Sequence, residues 1–237
     1  MKTRQKTTRI LGIVLYITGL VLGLFLAGAM IMSDVEAEFY GFDNLSQGRL
    51  STLRCPPLLT RAETGTLRAT LSNRLDRPIQ PVIRIDLSTP FLAQSSKQQL
   101  SLEPGQSQVL EWHVDDANID LGNFIFAKVF VYPVYPLPLR EATCGIIVFN
   151  LPLLKGSQWL IVALVFSITC LGSGLILLAR ENRPLTGRLR ERIFGLIALA
   201  ILLVAALASG VWGWWVLGGI LLAVCILLMA VLLYLFT

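Results

Sequence analysis

The segment that decides the fold is ILGIVLYITGLVLGLFLAGAMIM, residues 10–32, which runs for 23 residues without a charged side chain. A helix rises about 1.5 Å per residue, and the hydrocarbon core of a bilayer is about 30 Å thick. About 20 apolar residues are therefore enough to cross it. The segment is predicted to be a membrane-spanning helix.

Two further uncharged segments lie in the C-terminal third of the chain. Residues 158–179 have the length of one span. Residues 193–237 are 45 residues long, which is enough for two. Glycine loosens a helix and tryptophan favours the membrane interface. We therefore divide the last segment into a span at 193–209, a Gly/Trp hairpin at 210–213 and a span at 214–237. The chain is predicted to have four transmembrane helices.

The composition excludes most other classes of protein. Hydrophobic residues make up 54% of the chain, charged residues only 15%, and the mean hydropathy is +0.68. A soluble domain carries about 25% charged residues, and disordered chains have low hydrophobicity. The sequence therefore predicts a membrane protein that also carries a modest non-membrane domain.

The distribution of charge predicts the topology. Residues 1–9 contain four basic residues and no acid, and residues 180–192 contain five arginines and two glutamates, whereas residues 33–157 have a net charge of −2. Basic residues beside membrane spans favour the cytoplasmic side. We predict a plasma-membrane protein with both termini and 180–192 in the cytoplasm, and with 33–157 and 210–213 outside. The basic excess is confined to the flanks of the spans, so it predicts contact with the lipid bilayer and no nucleic-acid partner.

An alternative interpretation of the first span is a cleaved signal peptide. Its basic start and the small residues Ala27-Gly28-Ala29 fit such a peptide. However, the hydrophobic region of a signal peptide has about 7–15 residues, fewer than this segment contains. A retained helix is the favoured prediction.

The pattern of residues 33–157 differs from that of the spans. Apolar and polar residues alternate with a period of two, and Pro, Gly, Asn and Asp separate the runs. The runs are at 67–71, 83–87 and 110–114, followed by apolar runs at 123–132 and 144–149. Such spacing is typical of a β-sandwich. We predict an all-β sandwich of about seven strands and of immunoglobulin-like size, inserted between helices 1 and 2.

Several motifs in this region belong together. They are Leu71-Ser72-Asn73, Pro78, residues 82–87, Pro104-Gly105-Gln106-Ser107 and the Trp112 strand at 110–114. Together they resemble bacterial immunoglobulin-like or fibronectin-III-like modules, which place an asparagine at a strand end and a Pro-Gly-Gln/Glu-Ser turn before a tryptophan-bearing strand. The resemblance covers about residues 62–150. It implies a spacer or an interaction surface.

The four cysteines fall into two classes. Cys55 and Cys144 lie in the region predicted to be outside, where an even pair favours a disulfide. The alternative is two unpaired thiols. Cys170 and Cys225 fall within predicted spans and are interpreted as packing residues.

Small residues recur four apart in three of the spans, a spacing that lets helix backbones approach closely. They pack either within the bundle or against another subunit. The residues are Gly12, Gly19, Gly23, Ala27, Cys170, Gly174, Gly219 and Ala223.

A proline-rich segment at residues 132–138 interrupts the last strands. Prolines remove donors from a sheet and stiffen the chain. The segment is either a protruding contact site or an ordinary strand connection. The predicted partner-contact residues are Tyr132, Pro133, Tyr135 and Pro136.

The sequence contains no recognised catalytic motif, and the interiors of the predicted spans contain no ionisable acid or base. The single histidine, His113, and the acidic segment 115–120 are interpreted as solvated, without a metal or cofactor. Asn44-Leu45-Ser46 is a glycosylation sequon that matters only in a eukaryote. The sequence therefore predicts a non-enzymatic accessory or scaffold subunit that associates with other membrane proteins. The alternatives are a stand-alone adhesion or ligand-sensing protein and, third, a transporter-associated component.

Overall fold

The computed structural model describes residues 2–43, 48–90, 93–135, 137–181 and 188–236. The chain divides into two compact units, one of Met1–Ile31 with Trp159–Thr237 and one of Met32–Gln158. A single helix comes first, the strands follow, and three helices end the chain. The elements are α1 Lys2–Phe39, β1 Gly48–Arg49, β2 Leu58–Thr60, β3 Gly65–Ser72, β4 Val82–Leu87, β5 Gln94–Gln99, β6 Ser107–Val114, β7 Phe124–Val131, β8 Arg140–Phe149, α2 Gly156–Glu181, α3 Arg188–Val211 and α4 Trp215–Phe236.

Within the described residues, four helices are long and apolar enough to cross a membrane. Their candidate spans are Lys6–Phe39, Gly156–Arg180, Arg190–Val211 and Trp215–Tyr234. The chain is therefore a multi-pass membrane protein by the length and composition of its helices.

The turn between α3 and α4 differs from the predicted hairpin at 210–213. Helix α3 continues through Gly210 to Val211, and the chain turns at Gly213, whose φ is +71°. The amide of Trp214 donates to the carbonyl of Ser209 over 2.9 Å and closes the helix end. A Cβ at Gly210 would lie 3.2 Å from Met30. Of the two glycines, Gly210 therefore serves helix packing, and Gly213 supplies the left-handed turn residue.

The strands of the second unit form two sheets. The larger has the order β1-β8-β7-β4-β5, with β2 also paired to β8, and the smaller joins β3 to β6. Buried residues of both sheets, including Leu67, Ile83 and Ile146, form one hydrophobic core. The predicted β-sandwich is confirmed at this level. The larger sheet is mixed, because β1 and β2 run parallel to β8.

The first helix does not end at residue 32, where the apolar segment ends. It continues to Phe39, and its last turns lie on β8. The amide of Gly145 donates to Asp34 over 3.1 Å, and Ala37 is fully buried beside Phe126. A Cβ at Gly145 would lie only 1.9 Å from the carbonyl oxygen of Ser33. The helix can continue because glycine permits this approach and β8 supplies partners for its polar side chains.

A disulfide joins Cys55 to Cys144, as predicted, with their Cα atoms 6.4 Å apart across 89 residues of chain. It ties the segment before β2 to the middle of β8. In the chain-entropy model, closing a loop of about this length stabilises the fold by up to ~4–5 kcal/mol. Cys170 and Cys225 are free and buried.

Candidate functional site: an arginine cleft in the sandwich

A cleft of about 290 Å³ opens at the end of the sandwich where β8 begins, opposite to the end from which β8 leads to α2. Strand ends and loops from both sheets line it. We call it the arginine cleft. Its principal residues are Arg49, Thr52, Arg74, Tyr132, Leu137 and Arg140.

The charge of the arginine cleft has one sign. The parallel pairing of β1 with β8 places Gly48 opposite Arg140 and so brings Arg49 and Arg140 to the same sheet edge. Arg74 comes from the loop after β3, and all three residues are exposed. Among the described lining residues there is no carboxylate. The described lining therefore carries positive charge on a unit whose net charge is negative, and one of its arginines, Arg49, also interacts electrostatically with Asp34.

A buried asparagine fixes the loop that carries Arg74. Asn73 is 1% exposed, and its Nδ2 donates to the carbonyls of Arg77 over 2.8 Å and Leu102 over 3.0 Å. Its Oδ1 accepts from the amide of Leu75 over 3.0 Å. The side-chain amide thus uses both of its N–H donors and one of its two acceptor lone pairs. The backbone next to Arg74 is held in one geometry.

The proline-rich segment forms another wall of the arginine cleft. The amide of Leu137 donates to the carbonyl of Val134 over 2.7 Å, which closes a turn. Arg77 donates to the carbonyl of Tyr135 and lies over its ring at 5.8 Å. The segment is therefore pinned to the loop after β3.

The predicted contact residues of this segment are distributed over two surfaces. Tyr132 lines the cleft, and its hydroxyl accepts from Arg84 over 3.3 Å. Tyr135 is 84% exposed and Pro133 is exposed, so both face solvent. Pro136 lies outside the described residues. The structure thus places Tyr132 in the lining of the cleft, while its hydroxyl is bonded to Arg84 of β4.

The lining between the arginines is mostly apolar. Ile79 and Leu102 are buried there, and Leu137 packs on the core. The Oγ1 of Thr52 is buried and has no hydrogen-bond partner within the described part of the chain. Guanidinium groups bind carboxylates in bidentate fashion, and an apolar lining accepts an aliphatic or aromatic side chain. The cleft is therefore suited to an acidic segment that also carries an apolar residue.

A second cluster of charges lies on the larger sheet, on the face away from the core. Arg84 forms salt bridges of 2.7 Å with Asp86 and 2.8 Å with Asp43, and it lies 4.3 Å from the ring centroid of Phe130. Lys128, 1% exposed, pairs with Glu141 over 3.4 Å. Burial alone would lower the pKa of Arg84, but the two carboxylates raise it above its usual range. These charges satisfy one another, so we assign them a structural role.

This charged cluster was not predicted, although the sequence contains a hint of it. Lys128 interrupts the otherwise apolar run FIFAKVFV of β7, and Arg84 and Asp86 alternate with apolar residues in β4. A charge inside an apolar strand indicates a partner on a neighbouring strand. Which neighbour it would be depends on the sheet order, which the sequence does not contain.

The acidic segment 115–120 is used locally. Asp115 accepts from the amide of Ala117 over 3.0 Å and caps a short 3-10 helix, Asp116–Asn118. Asp120 accepts a 2.5 Å hydrogen bond from the hydroxyl of Tyr40. Burial and this hydrogen bond raise the pKa of Tyr40 to about 12.

The exposed His113 lies 3.4 Å from the hydroxyl of Thr66. The Asn44 sequon lies outside the described residues.

The small residues of the first two spans line close helix contacts. A Cβ at Gly19 would lie 2.7 Å from the carbonyl oxygen of Ser167, and one at Gly174 would lie 2.7 Å from the amide nitrogen of Tyr16. Ser167 donates to the carbonyl of Gly19 over 2.8 Å. These α1–α2 contacts lie inside the bundle.

The other small residues differ in their surroundings. Gly12 and Gly23 approach side chains of α2 and α3, and Ala27 and Cys170 are buried. On α4, a Cβ added at Gly219 would meet nothing nearer than a side-chain carbon of Ile31 at 3.9 Å, and Ala223 is exposed. The α4 pair is therefore not used in a tight contact within the described bundle.

No family model matches the chain, and no curated protein matches it. Three solved structures illustrate its similarities. A cycloisomaltooligosaccharide glucanotransferase from a Paenibacillus species is 10% identical, with a TM-score of 0.33 over 44% of this chain and 14% of the enzyme. A CARDB domain from Pyrococcus furiosus is 12% identical, with a TM-score of 0.32 over 40% of this chain and 87% of that domain. A superoxide reductase from Ignicoccus hospitalis is 14% identical, with a TM-score of 0.32 over 41% of this chain and 78% of the reductase. Matches at this level assign neither a family nor an activity.

Proposed function

We propose that this protein is a non-catalytic accessory or scaffold subunit of a membrane protein assembly, and that its immunoglobulin-like sandwich binds an acidic segment of a partner subunit outside the cytoplasm. The observation that carries the proposal is the arginine cleft. It combines three guanidinium groups with an apolar lining and has no carboxylate among its described lining residues.

The hydrogen bonds that hold the walls of the cleft in place support a binding role. Asn73 holds the loop of Arg74, and Arg77 pins the segment that carries Tyr132. A preformed site loses less conformational entropy when a partner binds. Arginine and tyrosine are also among the residue types enriched at the energetic hot spots of protein interfaces.

The distribution of charge supports a protein partner over a nucleic acid. Residues 33–157 have a net charge of −2, which would repel a polyanion as a whole. The described lining of the cleft, by contrast, carries three arginines and no carboxylate. A short acidic segment can reach it while the rest of its chain avoids the surrounding carboxylates.

The charges at the span ends support the proposed orientation, with both termini in the cytoplasm and the sandwich outside. The disulfide between Cys55 and Cys144 is consistent with this placement, since disulfides persist in oxidising compartments.

The test is native mass measurement of the full chain, extracted from its own membranes in mild detergent. We expect masses of additional subunits to be present and to be lost in the double variant Arg74→Glu, Arg140→Glu. Arg61→Glu, an exposed arginine outside the cleft, is the matched control and should keep them. A lone monomer or homo-oligomer would instead favour the adhesion or sensing alternative. Subunits that survive the double reversal would exclude the cleft as their binding site.

A further inference from the structure

The helical unit contains a groove between α1 and α4, with α3 at its base. Its volume is about 470 Å³, and its lining is almost entirely apolar. We call it the α1–α4 groove. Representative lining residues are Ile13 and Ile17 of α1, Leu196 and Leu199 of α3, and Leu232 and Leu233 of α4.

Among the described residues that line the groove, the buried hydroxyl of Tyr16 already has a hydrogen-bond partner. The side chain of Tyr16 is 4% exposed, and its hydroxyl donates to the carbonyl of Leu196 over 2.9 Å. An apolar occupant would therefore not have to bury an unpaired hydroxyl.

The length of the groove corresponds to one leaflet of a bilayer. On α1 its lining extends from Arg9 to Val21. Twelve residues of helix rise about 18 Å at 1.5 Å per residue. The hydrocarbon core is about 30 Å thick, so one leaflet accounts for about 15 Å of it. A helix from another subunit would run the whole depth, whereas an acyl chain ends within a leaflet.

Two arginines mark one end of the groove. Arg9 and Arg192 both line it, and each is the last charged residue before an uncharged segment, the segments at 10–32 and 193–237. The positive-inside rule explains why basic residues flank these spans. The packing of α1 and α3 then brings these two arginines, from helices far apart in sequence, to the mouth of one apolar groove. Basic pockets between transmembrane helices bind the head groups of anionic lipids.

We propose that the α1–α4 groove binds one anionic phospholipid. Arg9 and Arg192 bind its phosphate, and an acyl chain lies along the apolar lining. This inference concerns only the helical unit and does not depend on the arginine cleft.

The first test is titration of the purified full chain in detergent with phosphatidylglycerol, followed by native mass spectrometry. We expect one retained lipid and no such retention of phosphatidylcholine. The double variant Arg9→Gln, Arg192→Gln should bind about 25-fold more weakly, from ~1 kcal/mol per basic residue and 1.4 kcal/mol per tenfold. Arg190→Gln is the matched control, because Arg190 lies over the ring of Phe194 at 5.5 Å and does not line the groove. Equal loss in the control and in the double variant would overturn the proposal.

The second test fills the groove without changing its charge. Ile17 and Val14 are neighbours on α1 with similar exposure, 51% and 53%, but only Ile17 lines the groove. Ile17→Trp should reduce phosphatidylglycerol retention at least tenfold, and Val14→Trp should leave it unchanged. Equal retention in both variants would contradict the proposal, and so would displacement of the lipid by millimolar inorganic phosphate. If the chain instead forms a dimer without bound lipid, and Ile17→Trp abolishes that dimer, the groove binds a second copy of the chain.

Discussion

At the scale of single residues, Asn73 connects the core of the sandwich to the arginine cleft. The side chain is buried and makes three hydrogen bonds to backbone groups. In an isolated loop, water would form hydrogen bonds with these backbone groups. Here the side chain of Asn73 is buried, so water does not reach them. The consequence is that a single substitution would affect both the stability of the sandwich and the position of Arg74.

Replacing Asn73 by alanine should lower the local stability of the β3–β6 sheet by about 2–4 kcal/mol, because three net hydrogen bonds of about 1 kcal/mol each are lost and buried carbonyls are left unpaired. Hydrogen exchange measured by mass spectrometry on the full chain reports this as faster exchange of β3 and β6 amides. The exposed Asn123 is the control, and Asn123→Ala should cost less than about 0.5 kcal/mol. Unchanged exchange in Asn73→Ala would show that the loop holds its geometry without this side chain.

At the scale of elements, the end of α1 is the clearest departure from the sequence prediction. Asp34, Glu36 and Glu38 are acidic, so the sequence predicts that the helix ends with the apolar segment at residue 32. The helix nevertheless continues, because Asp34 accepts from Gly145 and Glu38 accepts from Thr143. These partners lie more than 100 residues away in the chain, beyond the reach of any local pattern.

Gly145→Ala should detach the last turns of α1 from β8, since the new Cβ would lie 1.9 Å from the carbonyl oxygen of Ser33. We expect a loss of about 1–3 kcal/mol, typical of overpacking, with faster hydrogen exchange in residues 33–39. Gly48→Ala in β1 is the matched control, because its Cβ would meet nothing nearer than 3.7 Å. The docked helix end would be disproved by equal exchange rates in the two variants.

The strands divide into those that the sequence predicts and those that it does not. Strands β3, β4, β6, β7 and β8 coincide with the alternating or apolar runs, because a half-buried strand imposes a period of two. Strand β5, Gln94–Gln99, is exposed along its whole length and has no such pattern. Strands β1 and β2 are two and three residues long and pair in parallel with a distant strand. The arginine cleft depends on β1, so the sequence could predict Tyr132 but not the arginines beside it.

At the scale of the whole molecule, the net charge of a region does not predict where its arginines gather. The chain carries +5 overall, and residues 33–157 carry −2. The two functional proposals each rest on a few arginines held at one place, three in the arginine cleft and two at the mouth of the α1–α4 groove. The spans were predictable because the bilayer constrains each helix locally, whereas the cleft and the groove arise only when distant segments meet.

In the proposed topology the sandwich lies outside the cytoplasm and the arginine-rich loop at 180–192 lies inside, and cysteine labelling tests this most directly. Native thiols interfere little, because Cys55 and Cys144 form a disulfide and Cys170 and Cys225 are buried. Single cysteines would be placed at Gln106, in the turn before β6, and at Gly187, which lies outside the described residues. With a membrane-impermeant maleimide and intact cells, we expect labelling of position 106 at once and of position 187 only after permeabilisation. Labelling of both positions from the same side would contradict the four-span arrangement and remove the basis for an extracytoplasmic binding site.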